Sequence, residues 1–154
     1  MTLRLATLDD IDAMRVIRAS VTENRLSDPR RATPEKYREM LESRGKGWVC
    51  ETDAQVVAFG VADAASRSLW ALFVKPGFER RGYGRALHDA MVAWLFEVGS
   101  EPIWLSTEPH TRAAGFYAAA GWRPEKPESV SCQWVIRSSP SRQQRKIGRS
   151  SRSE

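Results

Sequence analysis

A single domain of mixed α and β structure is what this sequence predicts, and three observations predict it. Short apolar runs of strand length alternate with segments whose apolar residues recur every three or four positions, and glycine or proline stands at most of the junctions. The two kinds of segment interleave along the chain, without internal repeats, as expected when helices cover a sheet. The chain has 154 residues, 42% hydrophobic and 28% charged, enough for one continuous core.

Leu3-Arg4-Leu5 alternates as a short first strand, and Thr7-Leu8-Asp9-Asp10 reads as a helix start with an acid placed as in a capping box. Ile11, Met14, Ile17 and Val21 then lie on one face of a helix, with Asp12, Arg15 and Arg18 on the other. The polar stretch from Glu23 to Ala32 leads to a second start, where Thr33 caps, Pro34 takes the first helical position, and Tyr37, Met40 and Leu41 form the buried stripe. Gly45 and Gly47 read as breaks. Trp48 to Thr52 and Val56 to Ala62, turning at Asp53, read as a hairpin. Ser68 to Val74 is nearly continuously apolar, as in a central strand covered on both faces, and Pro76 ends it. Leu87, Met91, Trp94, Leu95 and Val98 make the strongest helical stripe, over Gly82 to Val98, with Gly99 as its stop. Ile103 to Thr107 is a further strand, Arg112 to Ala120 a helix closed by Gly121, and Val130 to Ile136 a last strand.

The net charge of +5 suggests nucleic acid until it is located. After Arg137, five basic residues (Arg142, Arg145, Lys146, Arg149 and Arg152) face Glu154, so four of the five net charges sit in the tail and one in the body. With Ile147 as its one large apolar side chain, the tail cannot bury enough surface to offset its ordering entropy, and residues 138–154 are expected to be a basic disordered extension to a domain spanning 1–137. Nucleic-acid binding is then expected only through that tail, if at all. No apolar stretch approaches the roughly 18 residues of a membrane span, and no leader pattern opens the chain, so a cytoplasmic location is expected. Cys50 and Cys132 lie far apart in strand-like surroundings and read as reduced structural cysteines, with no metal site expected.

The chemistry concentrates where the central strand passes through Pro76-Gly77-Phe78-Glu79-Arg80-Arg81-Gly82-Tyr83-Gly84-Arg85 into the long helix. A helix N-terminus carries unpaired N–H groups and about half a positive charge, which suits a phosphate. Gly82 and Gly84 let the backbone approach such a group, and Arg80, Arg81 and Arg85 add cations. No Lys-Ser/Thr follows the second glycine, and Leu87 stands where a third glycine would complete G-x-G-x-x-G, so neither a nucleoside-triphosphate loop nor a dinucleotide fingerprint is present. Taken alone, the two glycines also fit a tight strand-to-helix turn with no ligand.

The stretch from Leu72 to Leu87 resembles motif A of the GNAT N-acetyltransferases, an apolar strand and proline turn followed by Q/R-x-x-G-x-G/A opening a helix. Glu79 stands where that family usually has Gln or Arg. A second stretch, Ala113-Ala114-Gly115-Phe116-Tyr117-Ala118-Ala119-Ala120-Gly121-Trp122, resembles motif B, commonly A-x-x-F-Y-x-x-x-G-F, with Trp122 replacing the final Phe. His110 stands where an Asn is frequent. The resemblance covers residues 1 to about 137 and implies a mixed, mostly antiparallel sheet, splayed at an acetyl-CoA site and flanked by about four helices.

The resemblance also implies roles. The backbone of Leu72, Phe73 and Val74 would pair with the pantetheine arm of acetyl-CoA, Glu79, Arg80, Arg81, Gly82, Tyr83, Gly84 and Arg85 would form the pyrophosphate cradle, and Phe116 would line the cofactor site. A primary amine, of a small molecule or a peptide, would attack the thioester directly through a tetrahedral intermediate, with a backbone N–H near Phe73 or Val74 stabilising the oxyanion. Tyr117, a neutral phenol with pKa about 10, would protonate the departing thiolate. The acid that related enzymes often carry on the central strand is missing, because Trp70 and Ala71 occupy that stretch. Glu51, Asp63, Glu108, His110 and a water chain stay open as the base. His88 reads as an ordinary packed or partly exposed histidine, with no role assigned. Acceptor choice would fall to residues 23–32 and 124–131. A CoA-binding module without turnover and, less well supported, a nucleic-acid protein remain alternatives, and monomer and homodimer both stay open.

Overall fold

The structure, a computed structural model, describes residues 1–21, 33–107, 110–127 and 132–138. The expected tail beyond Ser138, Glu108, the whole of the expected acceptor segment 23–32 and half of the segment 124–131 lie outside the described residues. Seven strands form one sheet: β1 (Thr2–Leu5), β2 (Gly45–Thr52), β3 (Gln55–Asp63), β4 (Ser68–Val74), β5 (Ile103–Thr107), β6 (Arg123–Pro127) and β7 (Cys132–Ile136), in the order β1-β2-β3-β4-β5-β7-β6. Every pairing is antiparallel except β4 with β5. The helices are α1 (Ile11–Ser20), α2 (Pro34–Glu39), α3 (Tyr83–Val98) and α4 (Arg112–Ala119). Among the described residues, no helix is long and apolar enough to cross a membrane.

The sheet has a core on each face. On one side α3 lays Leu87, Met91 and Leu95 over Val57, Leu69, Ile103 and Leu105. On the other, α1, α2 and the π-helical turn Met40–Arg44 that continues α2 bring Met14, Ile17, Tyr37 and Met40 against Val49, Phe59, Val61 and Ala71. β4 packs into both, with Leu69 and Leu72 on the first side and Ala71 and Phe73 on the second, which is why its sequence is apolar without alternation. Local signals held where they were specific. Thr33 accepts the Lys36 N–H at 3.2 Å with Pro34 at the first position of α2, and the two-residue β2–β3 turn puts Asp53 at φ 51° and Ala54 at φ 59°, as a primed hairpin turn requires.

Two boundaries differ from expectation. Gly45 and Gly47 do not break the chain; both lie in β2, and Gly45 is there because a Cβ would sit 1.7 Å from the Ala62 carbonyl oxygen of β3. The last strand, expected over residues 130–136, is β7, Cys132–Ile136, and it pairs with a further strand that was not expected, β6. Pro124 and Pro127 concealed β6, yet it is the sheet's edge strand, where proline leaves no partner's hydrogen bond unmade.

Candidate active site

The only β4–β5 register pair is Ser68 with Trp104, so the parallel ladder closes at the start of β4 and the strands part beyond it. On its other edge β4 stays paired with β3, Phe73 opposite Phe59 and Val74 opposite Ala58. The Lys75 N–H bonds the Val57 oxygen at 2.8 Å. Hydrogen-bonding direction alternates along an antiparallel strand, so Phe73 points its backbone groups at β3, while Leu72 and Val74 turn theirs toward the gap. An open groove of about 820 Å³ fills that gap, lined by Leu72, Phe73 and Val74 on one wall and Ala113, Phe116 and Tyr117 on the other. Ser20 and Val21 at the end of α1 also line it, and the nearby Arg18 guanidinium lies 5.0 Å from the Phe73 ring centre.

The glycine turn closes one end of the groove. Gly82 is the N-cap of α3 with φ 89° and gives it no side-chain cap. Ala86 makes the first intrahelical bond, to the Gly82 oxygen at 3.0 Å, so the N–H groups of Tyr83, Gly84 and Arg85 precede the helical ladder. Arg80 takes a left-handed φ of 63°, a conformation non-glycine residues adopt at a cost and that often marks a functional turn. A Cβ on Gly84 would meet Val74 Cγ2 at 3.7 Å, an ordinary contact, so packing within the protein does not demand glycine at this position. Arg80, Arg85 and Arg112 are all in the lining, with the Arg85 Nε held by Asp89 Oδ1 at 3.1 Å. Glu79 lies among them, its Oε2 accepting the Gly77 N–H at 2.9 Å. Backbone N–H donors, its own and that of Gly77, hold its carboxyl below the usual range and therefore anionic.

Tyr117 stands on the opposite wall, set by the way α4 ends. Thr111 starts the helix by accepting the Ala114 N–H at 3.1 Å. At the other end Gly121 has φ 99°, its N–H bonds the Ala118 oxygen at 3.2 Å, and the Trp122 N–H bonds the Tyr117 oxygen at 3.0 Å. This is a Schellman motif, whose usual apolar contact is here the Tyr117 ring against the Trp122 ring, centroids 5.6 Å apart. Phe116 packs on Tyr117 at 5.3 Å. Burial raises the Tyr117 phenol above its ordinary pKa, so it carries its proton at neutral pH.

The groove thus joins Leu72, Phe73, Val74, Glu79, Arg80, Gly82, Gly84, Arg85, Phe116 and Tyr117. Tyr83 and Arg81 are absent from the lining. The Tyr83 side chain is 7% exposed and belongs to the core, leaving its backbone N–H at the turn, and the Arg81 guanidinium lies 5.1 Å over the Phe78 ring. Two of the base candidates are elsewhere and already paired: Glu51 with Arg4 on the β1–β2 edge, Asp63 with Arg44 at 3.0 Å. His110 is exposed outside the groove. Arg112, Ser20, Val21 and Pro76 line the groove without having been singled out. For Arg112 a signal existed, a cation at the first position of the helix that carries Phe116 and Tyr117.

Residues 12–122 match the family model of the acetyltransferase (GNAT) family. The chain belongs to the GNAT acetyltransferase family. The GNAT fold is also that of solved structures of low identity. The PaiA N-acetyltransferase of Thermoplasma acidophilum, in complex with coenzyme A, superposes with a TM-score of 0.72 at 14% identity, covering 90% of this chain and 100% of that one. The ribosomal-protein-S18-alanine N-acetyltransferase of Escherichia coli gives 0.70 at 16% identity over 88% and 92%. A putative streptothricin acetyltransferase of Bacillus anthracis, in complex with acetyl coenzyme A, gives 0.69 at 15% identity over 89% and 99%. No curated protein matches the sequence significantly.

Proposed function

We propose that this GNAT-family chain transfers the acetyl group of acetyl-CoA to a primary amine within the domain formed by residues 1–137. The observation that carries the reading is the groove itself, which places a cationic glycine turn, an open strand edge and a buried neutral phenol along one path. The bound donor supplies an activated thioester and a thiolate leaving group.

Each part of the groove has a task. The N–H groups of Gly84 and Arg85, with the Arg80, Arg85 and Arg112 side chains, hold the pyrophosphate at the positive end of α3. Leu72 and Val74 offer their outward backbone groups to the pantetheine arm as an added strand would. Of the two residues expected to serve the oxyanion, Val74 is favoured over Phe73, because its N–H points into the gap while that of Phe73 points to β3. The Tyr117 hydroxyl gives its proton to the departing sulfur, and the proton lost by the attacking nitrogen leaves through water, from which the phenolate is reprotonated. Burial raises the phenol, and the same apolar surroundings raise the thiol, which keeps the transfer matched.

Purified protein with acetyl-CoA and a panel of amines and amino-terminal peptides tests the reading by thiol release. Release that depends on an amine is expected. Binding of acetyl-CoA with no thiol above background for any acceptor would instead make the chain a CoA-binding module. Tyr117→Phe should lower kcat about a hundredfold, the lower range for a lost general acid, with acetyl-CoA affinity within about twofold; wild-type kcat would remove Tyr117 from the chemistry.

A further inference from the structure

His88 sits on α3 with 3% of its surface exposed, behind the wall that carries Tyr117. Both ring nitrogens are engaged: Nδ1 lies 2.9 Å from Asp89 Oδ1, and Nε2 accepts the Trp122 indole N–H at 2.9 Å. An indole N–H can only donate, so Nε2 is bare and the imidazole is neutral with its proton on Nδ1. The ring also meets Phe116 edge-on at 5.6 Å and lies 6.3 Å from Tyr117.

We propose that His88 is a positioning residue for Tyr117, holding Trp122 by its indole N–H so that Trp122 seats the tyrosine in the groove. Trp122 grips Tyr117 twice, by its backbone N–H on the Tyr117 oxygen at 3.0 Å and by its ring at 5.6 Å. α4 has eight residues, too few to be stable or oriented by itself, so tertiary ties decide where Tyr117 points. The departure from motif B at Trp122 acquires a reason: Phe would fill the Schellman contact but has no donor, whereas the indole offers its N–H to His88. Protonation of His88 would place N–H against N–H and release the tie. The charged and titratable groups facing the ring are Asp89 and Arg85 from its own helix and Tyr117 from α4. Asp89 favours the proton, yet desolvation outweighs it and holds His88 below its ordinary pKa, so the tie persists at neutral pH.

The inference rests on Tyr117 acting as the acid, and the experiment separates the two. His88→Leu should lower kcat about tenfold, the scale of a sub-ångström misplacement, with the acetyl-CoA KM within about twofold. His88→Gln, whose side-chain oxygen reaches the same donor, should recover most of the rate. In a Tyr117→Phe background His88→Leu should cost nothing further. The Trp122 indole N–H resonance, assigned by its loss in Trp122→Phe, should shift in His88→Leu and stay near its wild-type position in His88→Gln. If His88→Leu misfolds, Trp122→Phe replaces it and should give the same tenfold loss, absent from the Tyr117→Phe background. Wild-type kcat in His88→Leu beside an impaired Tyr117→Phe overturns this inference alone. An equal loss in the Tyr117→Phe background also overturns it, and wild-type kcat in Tyr117→Phe overturns both.

Discussion

Glu79 puts an anion where a pyrophosphate is proposed to bind, and that conflict has a measurable consequence. Its carboxylate accepts the Gly77 N–H, a bond that a glutamine oxygen can make equally well. Glu79→Gln should therefore keep the turn while removing a repulsion, tightening acetyl-CoA binding by about threefold at low salt and by less as salt screens the charge. Titration calorimetry at two ionic strengths checks it, and weaker binding in the variant would mean that the carboxylate serves the ligand rather than opposing it. Glu79 was legible because it departs from a motif of fixed spacing. Tyr83 was assigned to the cradle with the rest of that motif, although it precedes Leu87, Met91 and Leu95 by steps of four and so continues the buried stripe. Periodicity had the information, and the motif masked it. The His88 to Trp122 bond was not legible at all, since nothing local marks two side chains 34 residues apart as partners.

Elements were read well where their signal was a repeating one and poorly where it was a single glycine. A glycine stands for several different constraints, and the sequence does not say which. Gly82 and Gly121 hold left-handed backbone, φ 89° and 99°, at a helix start and a helix end. Gly45 answers instead to a neighbouring strand's carbonyl, a long-range constraint that looks locally like a break. Substitution separates the two kinds. Gly45→Ala should destabilise the fold by more than about 2 kcal/mol, because a strand must move off the Ala62 oxygen, and chemical denaturation gives the value. Gly121→Ala meets no atom within 4 Å, so it should cost only the left-handed strain of about 1 kcal/mol. That smaller cost falls on the motif that pairs Trp122 with Tyr117, so kcat should drop while acetyl-CoA affinity holds. A larger loss of stability than of turnover would place α4's end in the folding account rather than in the chemistry.

At the scale of the whole molecule, ligand and proton act as linked terms in stability. Acetyl-CoA at a hundred times its Kd should stabilise the protein by about 2.7 kcal/mol, and Gly84→Leu, whose Cβ meets only Val74 within the fold, should keep the free protein's stability and lose that gain. The proton acts in two windows. His88 is held below its ordinary value of 6.5 by burial. Above about 6.5 the residue is neutral in folded and unfolded chains alike, but between that pH and the lowered folded pKa the unfolded chain alone binds a proton there, so stability falls as pH falls. Asp10, held below 3.8 chiefly by its bond from Arg4, and Asp63, where burial pushes upward but the Arg44 and Ser66 bonds prevail, contribute stability that is present above about 3.8 and lost below it. Acid should therefore weaken the fold first through a histidine and only later through carboxylates. His88→Gln should abolish the upper step and leave the lower one, and denaturation midpoints from pH 7.5 to 3, wild type against variant, check both. Below that upper window, once pH passes the lowered folded pKa, His88 is protonated in the folded protein and the Trp122 tie is released, so kcat should decline with falling pH before acetyl-CoA binding does. If both declined together, the loss would belong to the fold as a whole and not to the seat of Tyr117.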